Sequence, residues 1–245
     1  MKPHNPNPND HPLLINGPLS SLYSELINCR LCPRIVEFRE RIAREKRKQF
    51  RNWMYWGRPI PGFGDVHAQL LILGLAPAAH GGNRTGRVFT GDKSADFLIK
   101  CLYKTGITNQ QKSEFLSDGL KMNDAFMTPV LKCVPPNDKP TAEELRNCSQ
   151  YFEDEMTVLS NVKVVLALGK IGFDAYLRLI RQKFDFKFKD FPFGHDKRYL
   201  LPNGKILWGC YHPSPRNVNT GRVNASMMIK LLYDVKEELE KCIKK

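Results

Sequence analysis

Two loops of this sequence combine small residues, arginines and side chains that can do hydrogen-bonding or acid-base chemistry. The first, residues 74–92, reads GLAPAAHGGNRTGRVFTGD. Small residues let the backbone approach a ligand closely, arginines can bind phosphates, and an aromatic ring offers a flat face to a base. We therefore predict phosphate contacts from Arg84 and Arg87 and base stacking on Phe89. The alternative is a mobile glycine-rich surface loop, because no dinucleotide or P-loop fingerprint is complete here.

The second loop, residues 211–222, reads YHPSPRNVNTGR. Two prolines restrict its backbone, and a helix that follows can direct its amide groups at an anion. An isolated histidine is more often structural than functional. His212, held beside Ser-Pro at a strand end, is the better candidate for a residue that faces a ligand.

Four of the seven cysteines have a spacing that suits a metal centre. Cys29 and Cys32 form a C-x-x-C pair, and Cys133 and Cys148 flank a Val-Pro-Pro-Asn segment. Four thiolates could bind zinc or an iron–sulfur cluster, and spacing alone does not choose between them. The alternative is a set of unrelated buried thiols.

Strands that alternate with helices predict the framework that positions these residues. We expect a three-layer α/β/α sandwich with a central, mainly parallel, four-stranded sheet, whose ligands bind at the carboxyl ends of the strands. Residues 1–18 are expected to be a flexible arm, and residues 19–245 one domain. The predicted helices are 20–52, which includes a strongly basic stretch, 94–104, 141–159, 169–182 and 224–241, and the predicted strands are 69–74, 122–130, 162–168 and one within 198–211.

Composition sets further limits on function. The chain has 245 residues, 42% hydrophobic, which is enough for a sizeable core. Its formal net charge of +13 indicates a polyanionic partner such as nucleic acid. No apolar run predicts a membrane span, and the amino terminus does not follow a signal-peptide pattern, so we expect a cytoplasmic protein.

The two loops, together with KCVPPN at residues 132–137, resemble the uracil-DNA glycosylase superfamily, and within it family 5, type B, the iron–sulfur family of thermophiles and other prokaryotes. The resemblance extends from about residue 28 to the last helix. It implies a pocket at the strand ends and a structural [4Fe–4S] cluster bound by Cys29, Cys32, Cys133 and Cys148. It also implies a DNA repair enzyme that flips a deaminated base out of DNA and hydrolyses its N-glycosidic bond, leaving an abasic site. Uracil is the expected base, with hypoxanthine and xanthine as further substrates.

The resemblance also implies roles for individual residues. Cleavage releases an anionic base and leaves a cationic sugar, so a hydrogen-bond donor and a group that guides water are needed. His212 would donate to the base O2, and Asp92 would position water or stabilise the cation. Arg216 would enter the base stack that the flipped nucleotide leaves. The remaining assignments are base contacts by Phe89, Ala76 and Ala78, and phosphate contacts by Ser214 and Asn217.

The sequence departs from related branches at two places. Ala78 and Ala79 stand where better-known branches have a polar catalytic residue, so the group that activates water is open. Pro129 stands where the neighbouring iron–sulfur branch has an asparagine that reads uracil, which predicts weaker selection for uracil. Asn123 or Asn137 could substitute for that asparagine.

Three other interpretations compete with this one. The chain could be an iron–sulfur glycosylase strict for uracil, or a non-catalytic iron–sulfur module that binds damaged DNA. The third, a basic α/β protein of another kind, does not explain why three motifs coincide. We expect a monomer that acts on double-stranded DNA containing deaminated bases, associated with the nucleoid and not with a membrane, with single-stranded DNA and a sliding clamp as further candidate partners.

Overall fold

A central β-sheet positions the two loops. The computed structural model describes residues 17–243, so nearly all of the predicted arm at residues 1–18 lies outside the described residues. The sheet has six strands in the order β1-β3-β2-β4-β6-β5. Their bounds are Phe63–Gly64 for β1, Leu70–Gly74 for β2, Ala125–Pro129 for β3, Val164–Leu168 for β4, Lys197–Leu200 for β5 and Ile206–Cys210 for β6.

The four inner strands are parallel, as predicted, but the predicted total of four strands was wrong. Strands β2, β3, β4 and β6 form the parallel core, while β1 and β5 pair antiparallel at the two edges. Strand β1 has only two residues, and β5 is mostly exposed. Neither carries the buried apolar run that made the inner strands recognisable.

Helices cover both faces of the sheet and confirm the three-layer arrangement. The inner strands are wholly buried and contribute to a hydrophobic core on each face. Helix α5, Ala142–Val158, begins with the predicted capping box between Thr141 and Glu144. The helices are α1 Ser20–Leu26, α2 Pro33–Glu45, α3 Gly82–Thr85, α4 Lys93–Lys104, α5 Ala142–Val158, α6 Lys170–Arg181, α7 Pro215–Asn219 and α8 Ala225–Ile243.

The helix predicted over residues 20–52 is interrupted. Helix α1 ends at Leu26, and α2 begins at Pro33, directly after the C-x-x-C pair. Proline suits the first turn of a helix because it lacks the N–H group that would have no partner there. The break places both cysteines of the pair in a loop.

Strand direction decides which loops share an edge of the sheet. The carboxyl ends of parallel strands lie together, so the segments after β2, β3 and β6 meet. Because β1 runs antiparallel to β3, the residues that lead into β1 lie at this same edge. Within residues 17–243, no helix combines the length and the apolar character needed to cross a membrane.

Candidate active site

A cavity of about 330 Å³ opens at the carboxyl ends of the parallel strands. This volume falls within the range of about 300–1,000 Å³ typical of small-molecule sites. We call this cavity the pocket. Its lining joins residues of both sequence loops: Gly74, Leu75, Ala76, Pro77, Ala78, Val88, Phe89, Asp92, Ser94, Pro129, Asp138, His212, Ser214 and Pro215.

Phe89 lies against the end of β2. Its backbone is left-handed, with φ 46°, which is rare for an aromatic residue. A side chain at Gly74 would bring its Cβ within 2.8 Å of the Phe89 ring, so glycine permits the close approach. Backbone strain of this kind is often found at functional sites. The ring therefore has a fixed place in the pocket wall, as stacking would require.

His212 reaches the pocket from the loop between β6 and α7. Its backbone carbonyl accepts hydrogen bonds from the Ser214 N–H at 2.8 Å and the Asn217 side-chain amide at 2.8 Å. Burial lowers the pKa of His212 below 6.5, and the nearby Asp138 carboxylate partly opposes that shift. The imidazole is therefore neutral at pH 7, and a neutral imidazole can donate one hydrogen bond.

Asp92 has a structural role at the same wall. One carboxylate oxygen accepts the backbone N–H groups of Ser94 at 2.9 Å and Ala95 at 3.1 Å, which caps α4. The second oxygen, Oδ2, lies so close to Gly81 that a side chain there would collide with it. Burial raises the pKa of Asp92, while the two N–H groups oppose the shift.

Asp138 is a pocket residue that the sequence interpretation missed. Asn137 and Asp138 have successive left-handed backbones, with φ 54° and 56°. Asparagine and aspartate tolerate this conformation better than most residues. The turn brings Asp138, which is also partly open to solvent, into the lining near His212, whereas Asn137, the predicted base contact, is exposed and outside the lining. The Pro-Pro-Asn-Asp sequence signalled the turn but not which side chain would enter the pocket.

The structure contradicts the predicted phosphate contacts of Arg84 and Arg87, because both are buried. Arg87 pairs with Asp118 at 2.6 Å and also bonds Thr90, Ser113 and the Leu116 carbonyl. Both side chains of this ion pair are nearly inaccessible, at 1% and 6% exposure. Arg87 therefore stabilises the 108–122 loop, and it is not available to DNA.

Arg84 is also a structural residue. Its guanidinium donates to the His80 and Gly91 carbonyls and lies over the rings of Phe50 and Trp53, 3.9 and 4.1 Å from their centroids. Such cation–π contacts stabilise by about 0.5–2 kcal/mol each. Arg84 thus joins the first loop to the segment that follows α2.

The other predicted contacts divide between the pocket and its surroundings. Asn123 lies before β3, at the opposite end of the sheet, and donates to the Gly106 carbonyl, so it was wrongly predicted as a base contact. Ser214 caps α7 and lines the pocket, and Asn217 bonds the His212 carbonyl. Arg216 is exposed.

Comparison of the sequence with protein-family models identifies the family to which this fold and pocket belong. A sequence model described as the uracil DNA glycosylase superfamily matches residues 61–236, which include every strand from β1 to β6 and both pocket loops. The chain belongs to the uracil-DNA glycosylase superfamily. The predicted resemblance is therefore confirmed.

Its relatives include type-5 uracil-DNA glycosylases. That of Thermus thermophilus is 43% identical over 211 residues, which cover 86% of this chain and 94% of the relative. That of Mycobacterium leprae is 41% identical over 222 residues, which cover 90% and 96%. A type-4 uracil-DNA glycosylase of Sulfurisphaera tokodaii is 25% identical over 200 residues, which cover 80% and 74%.

In this member of the uracil-DNA glycosylase superfamily, the four predicted cysteine ligands converge. Cys29 and Cys32 from the α1–α2 loop, Cys133 after β3 and Cys148 of α5 line one small cavity beside the pocket loops. Burial raises the pKa of Cys133 to about 11 and that of Cys148 to about 12. Within residues 17–243, no three His, Cys, Asp or Glu residues have the geometry to hold a single metal ion together.

A buried arginine faces these thiols. Arg39 of α2 is only 2% exposed and donates to Cys133 Sγ at 2.9 Å and to the Cys29 carbonyl at 3.0 Å. Its Nε has no hydrogen-bond partner, and no carboxylate in the described part of the chain forms an ion pair with it. An unpaired buried cation is costly unless negative charge lies nearby. We call these cysteines and Arg39 the cysteine site.

Proposed function

We propose that this protein excises uracil from DNA by hydrolysing the N-glycosidic bond, which leaves an abasic site for repair. The observation that carries the proposal is the meeting of His212, Phe89 and Asp92 in one pocket of a chain of this superfamily. Relatives named type-5 uracil-DNA glycosylases, at about 40% identity over most of their length, support the same activity. They do not favour a non-catalytic module that binds damaged DNA.

The substrate nucleotide leaves the base stack before cleavage. The glycosidic bond of a stacked base is inaccessible to the pocket, so the enzyme pays a flipping cost of roughly a few kcal/mol. Phe89, fixed against Gly74, then stacks on the base. His212 donates its hydrogen bond to the base oxygen, where negative charge grows as the bond breaks.

Two carboxylates complete the reaction site. Asp92 keeps Oδ1 on the α4 backbone and has Oδ2 for a water molecule or for the cationic sugar. Asp138 approaches from the opposite loop, beside His212. These two residues supply the acidic groups that Ala78 and Ala79 cannot.

We propose that the pocket also accepts hypoxanthine and xanthine. Pro129 ends β3 in the lining, and none of the described lining residues has a side-chain amide. A bidentate amide is what gives a site strong discrimination between bases. Without a side-chain amide, the shape of the pocket and stacking on Phe89 determine which base binds. Deaminated purines can then compete with uracil for the pocket. Duplexes that contain uracil, hypoxanthine, xanthine or a thymine mismatch, tested with one preparation, would separate this specificity from strict uracil excision.

A [4Fe–4S] cluster fits the cysteine site. Cys29, Cys32, Cys133 and Cys148 would bind it, and the cationic, otherwise unpaired Arg39 fits an anionic group of thiolates and sulfide. A zinc ion would need all four sulfur atoms about 3.8 Å apart, since Zn–S bonds are about 2.3 Å in tetrahedral sites. Ligands to four separate iron atoms lie further apart. Such a cluster would join α2, β3 and α5 beside the pocket.

Removal of the His212 imidazole tests the catalytic assignment. We expect His212→Ala to slow single-turnover uracil release by about 100- to 1,000-fold, the usual effect of losing one donor to a developing anion. His67→Ala is the matched control, because His67 is exposed at the amino end of β2. Asp92→Asn, which can still cap α4, should slow release less. Release at the wild-type rate by His212→Ala would refute the assignment.

A further inference from the structure

A basic surface beside the pocket has no part in the chemistry above. We define the basic segment as residues 41–58, which contain seven Lys and Arg residues and one Glu. This excess of six positive charges is nearly half of the formal net charge of +13. Arg47, Lys48 and Arg51 are exposed, and within residues 17–243 none of them forms an ion pair with a carboxylate. These charges are free to meet a polyanion.

The backbone fixes the basic segment to the first pocket loop. The segment leads into β1, which enters the sheet from the carboxyl ends of the parallel strands. The Trp56 N–H donates to the Arg84 carbonyl at 3.1 Å, and the Gly57 N–H donates to the Asn83 carbonyl at 3.0 Å. Both acceptors belong to α3, within the first pocket loop.

Side chains hold the more basic part of the segment as well. Arg84 lies over the rings of Phe50 and Trp53 and is fixed by hydrogen bonds to the pocket loop. The Tyr55 hydroxyl lies 3.0 Å from His80 Nδ1, two residues from Ala78 in the pocket lining. The buried arginine thus presents the exposed cations in a set position relative to the pocket.

We propose that the basic segment binds the phosphate backbone of duplex DNA beside the flipped nucleotide. The proposal rests on the proposed function, since it takes the ligand of the pocket to be a nucleotide in DNA. In the sheet order, the segment lies on the β1 side of the pocket and the exposed Arg216 on the β6 side. A duplex across this edge would contact both surfaces. The free cations and the attachment of their segment to the first pocket loop favour a phosphate backbone over an acidic protein.

Neutralisation of three exposed cations tests this surface. The variant is Arg47→Gln, Lys48→Gln and Arg51→Gln together. The matched control is Lys104→Gln, Lys121→Gln and Lys163→Gln, which removes three exposed charges at the amino ends of the strands. The measurements are affinity for an undamaged duplex as a function of salt concentration, and single-turnover uracil release at saturating enzyme.

We expect the segment variant to bind the duplex at least tenfold more weakly than the control. The slope of log affinity against log salt should fall by about 0.9 for each lost phosphate contact. Release at saturating enzyme should stay within about twofold of wild type. Affinity and slope equal to those of the control would overturn the proposal, and so would an unchanged affinity with slower release.

The same assays separate this proposal from the proposed function. If wild-type protein releases no base but the segment variant still loses duplex affinity, the glycosylase assignment fails and the DNA surface stands. If wild-type protein releases uracil and the segment variant binds duplex as the control does, the surface assignment alone fails.

Discussion

At the scale of single residues, the protonation of His212 offers a test of pocket geometry. Burial lowers the pKa of His212, and the Asp138 carboxylate raises it in part. Activity that needs neutral imidazole is lost as pH falls through that lowered pKa, below the usual histidine value of about 6.5. Asp138→Asn removes the opposing charge, so the pKa falls further. We expect the acidic limb of the rate profile to move to lower pH.

Single-turnover uracil release between pH 4.5 and 8 would measure the shift caused by Asp138→Asn. Asparagine also tolerates the left-handed backbone at this position, so the turn should persist. If Asp138→Asn lowers the rate equally at every pH, the Asp138 carboxylate also guides water. That effect is distinct from a shift of the acidic limb along the pH axis. A limb that stays in place or moves to higher pH would contradict the electrostatic effect of Asp138 on His212.

At the scale of elements, Arg84 joins the pocket loop to the basic segment. Arg84→Met keeps an unbranched side chain but loses both ring contacts and the hydrogen bonds to His80 and Gly91. We expect faster amide hydrogen exchange in residues 46–58 and unchanged exchange in α8. The substitution removes the attachment of the segment to the pocket loop but leaves the hydrophobic core intact. Hydrogen exchange followed by mass spectrometry gives the comparison. Equal protection of residues 46–58 in both proteins would show that the backbone bonds of Trp56 and Gly57 suffice.

At the scale of the whole molecule, Arg39 connects the cysteine site to the first pocket loop. Its side chain bonds Cys133 and Cys29, and its carbonyl accepts the Asn83 side-chain amide at 3.1 Å. Arg39→Gln would leave the negative charge of the proposed cluster uncompensated. We expect this variant to release iron to a chelator several-fold faster than wild type, and Arg39→Lys to restore part of the retention, because a cation returns. Visible absorbance and iron content give the readout.

Arg34→Gln is the matched control for Arg39, because Arg34 lies on the same helix and pairs with Glu144, and within residues 17–243 its side chain forms no hydrogen bond with a cysteine thiol. Iron release from Arg39→Gln no faster than from this control would refute charge compensation. Wild-type protein with one zinc and no iron would refute the cluster itself.

Sequence alone determined the features that depend on local patterns. Continuous apolar runs identified β2 and β4, because both faces of these strands are buried against apolar side chains. The capping box located the start of α5, and the Gly-Leu-Ala-Pro and His-Pro-Ser-Pro motifs identified the family and placed Phe89 and His212 in the pocket. Each of these signals lies in residues that are neighbours in the sequence, so it can be recognised without knowledge of the fold.

Only the tertiary structure decided what distant residues do for one another. An arginine in a glycine-rich loop looks the same whether it faces a phosphate or a buried carboxylate, and Asp118 lies 31 residues from Arg87. Similarly, the backbone turn at Asn137 and Asp138 determines which of the two side chains enters the pocket. The direction of β3 places Asn123 at the end of the sheet far from the pocket. Burial and charge pairing depend on the whole chain packing together, and local spacing does not encode them.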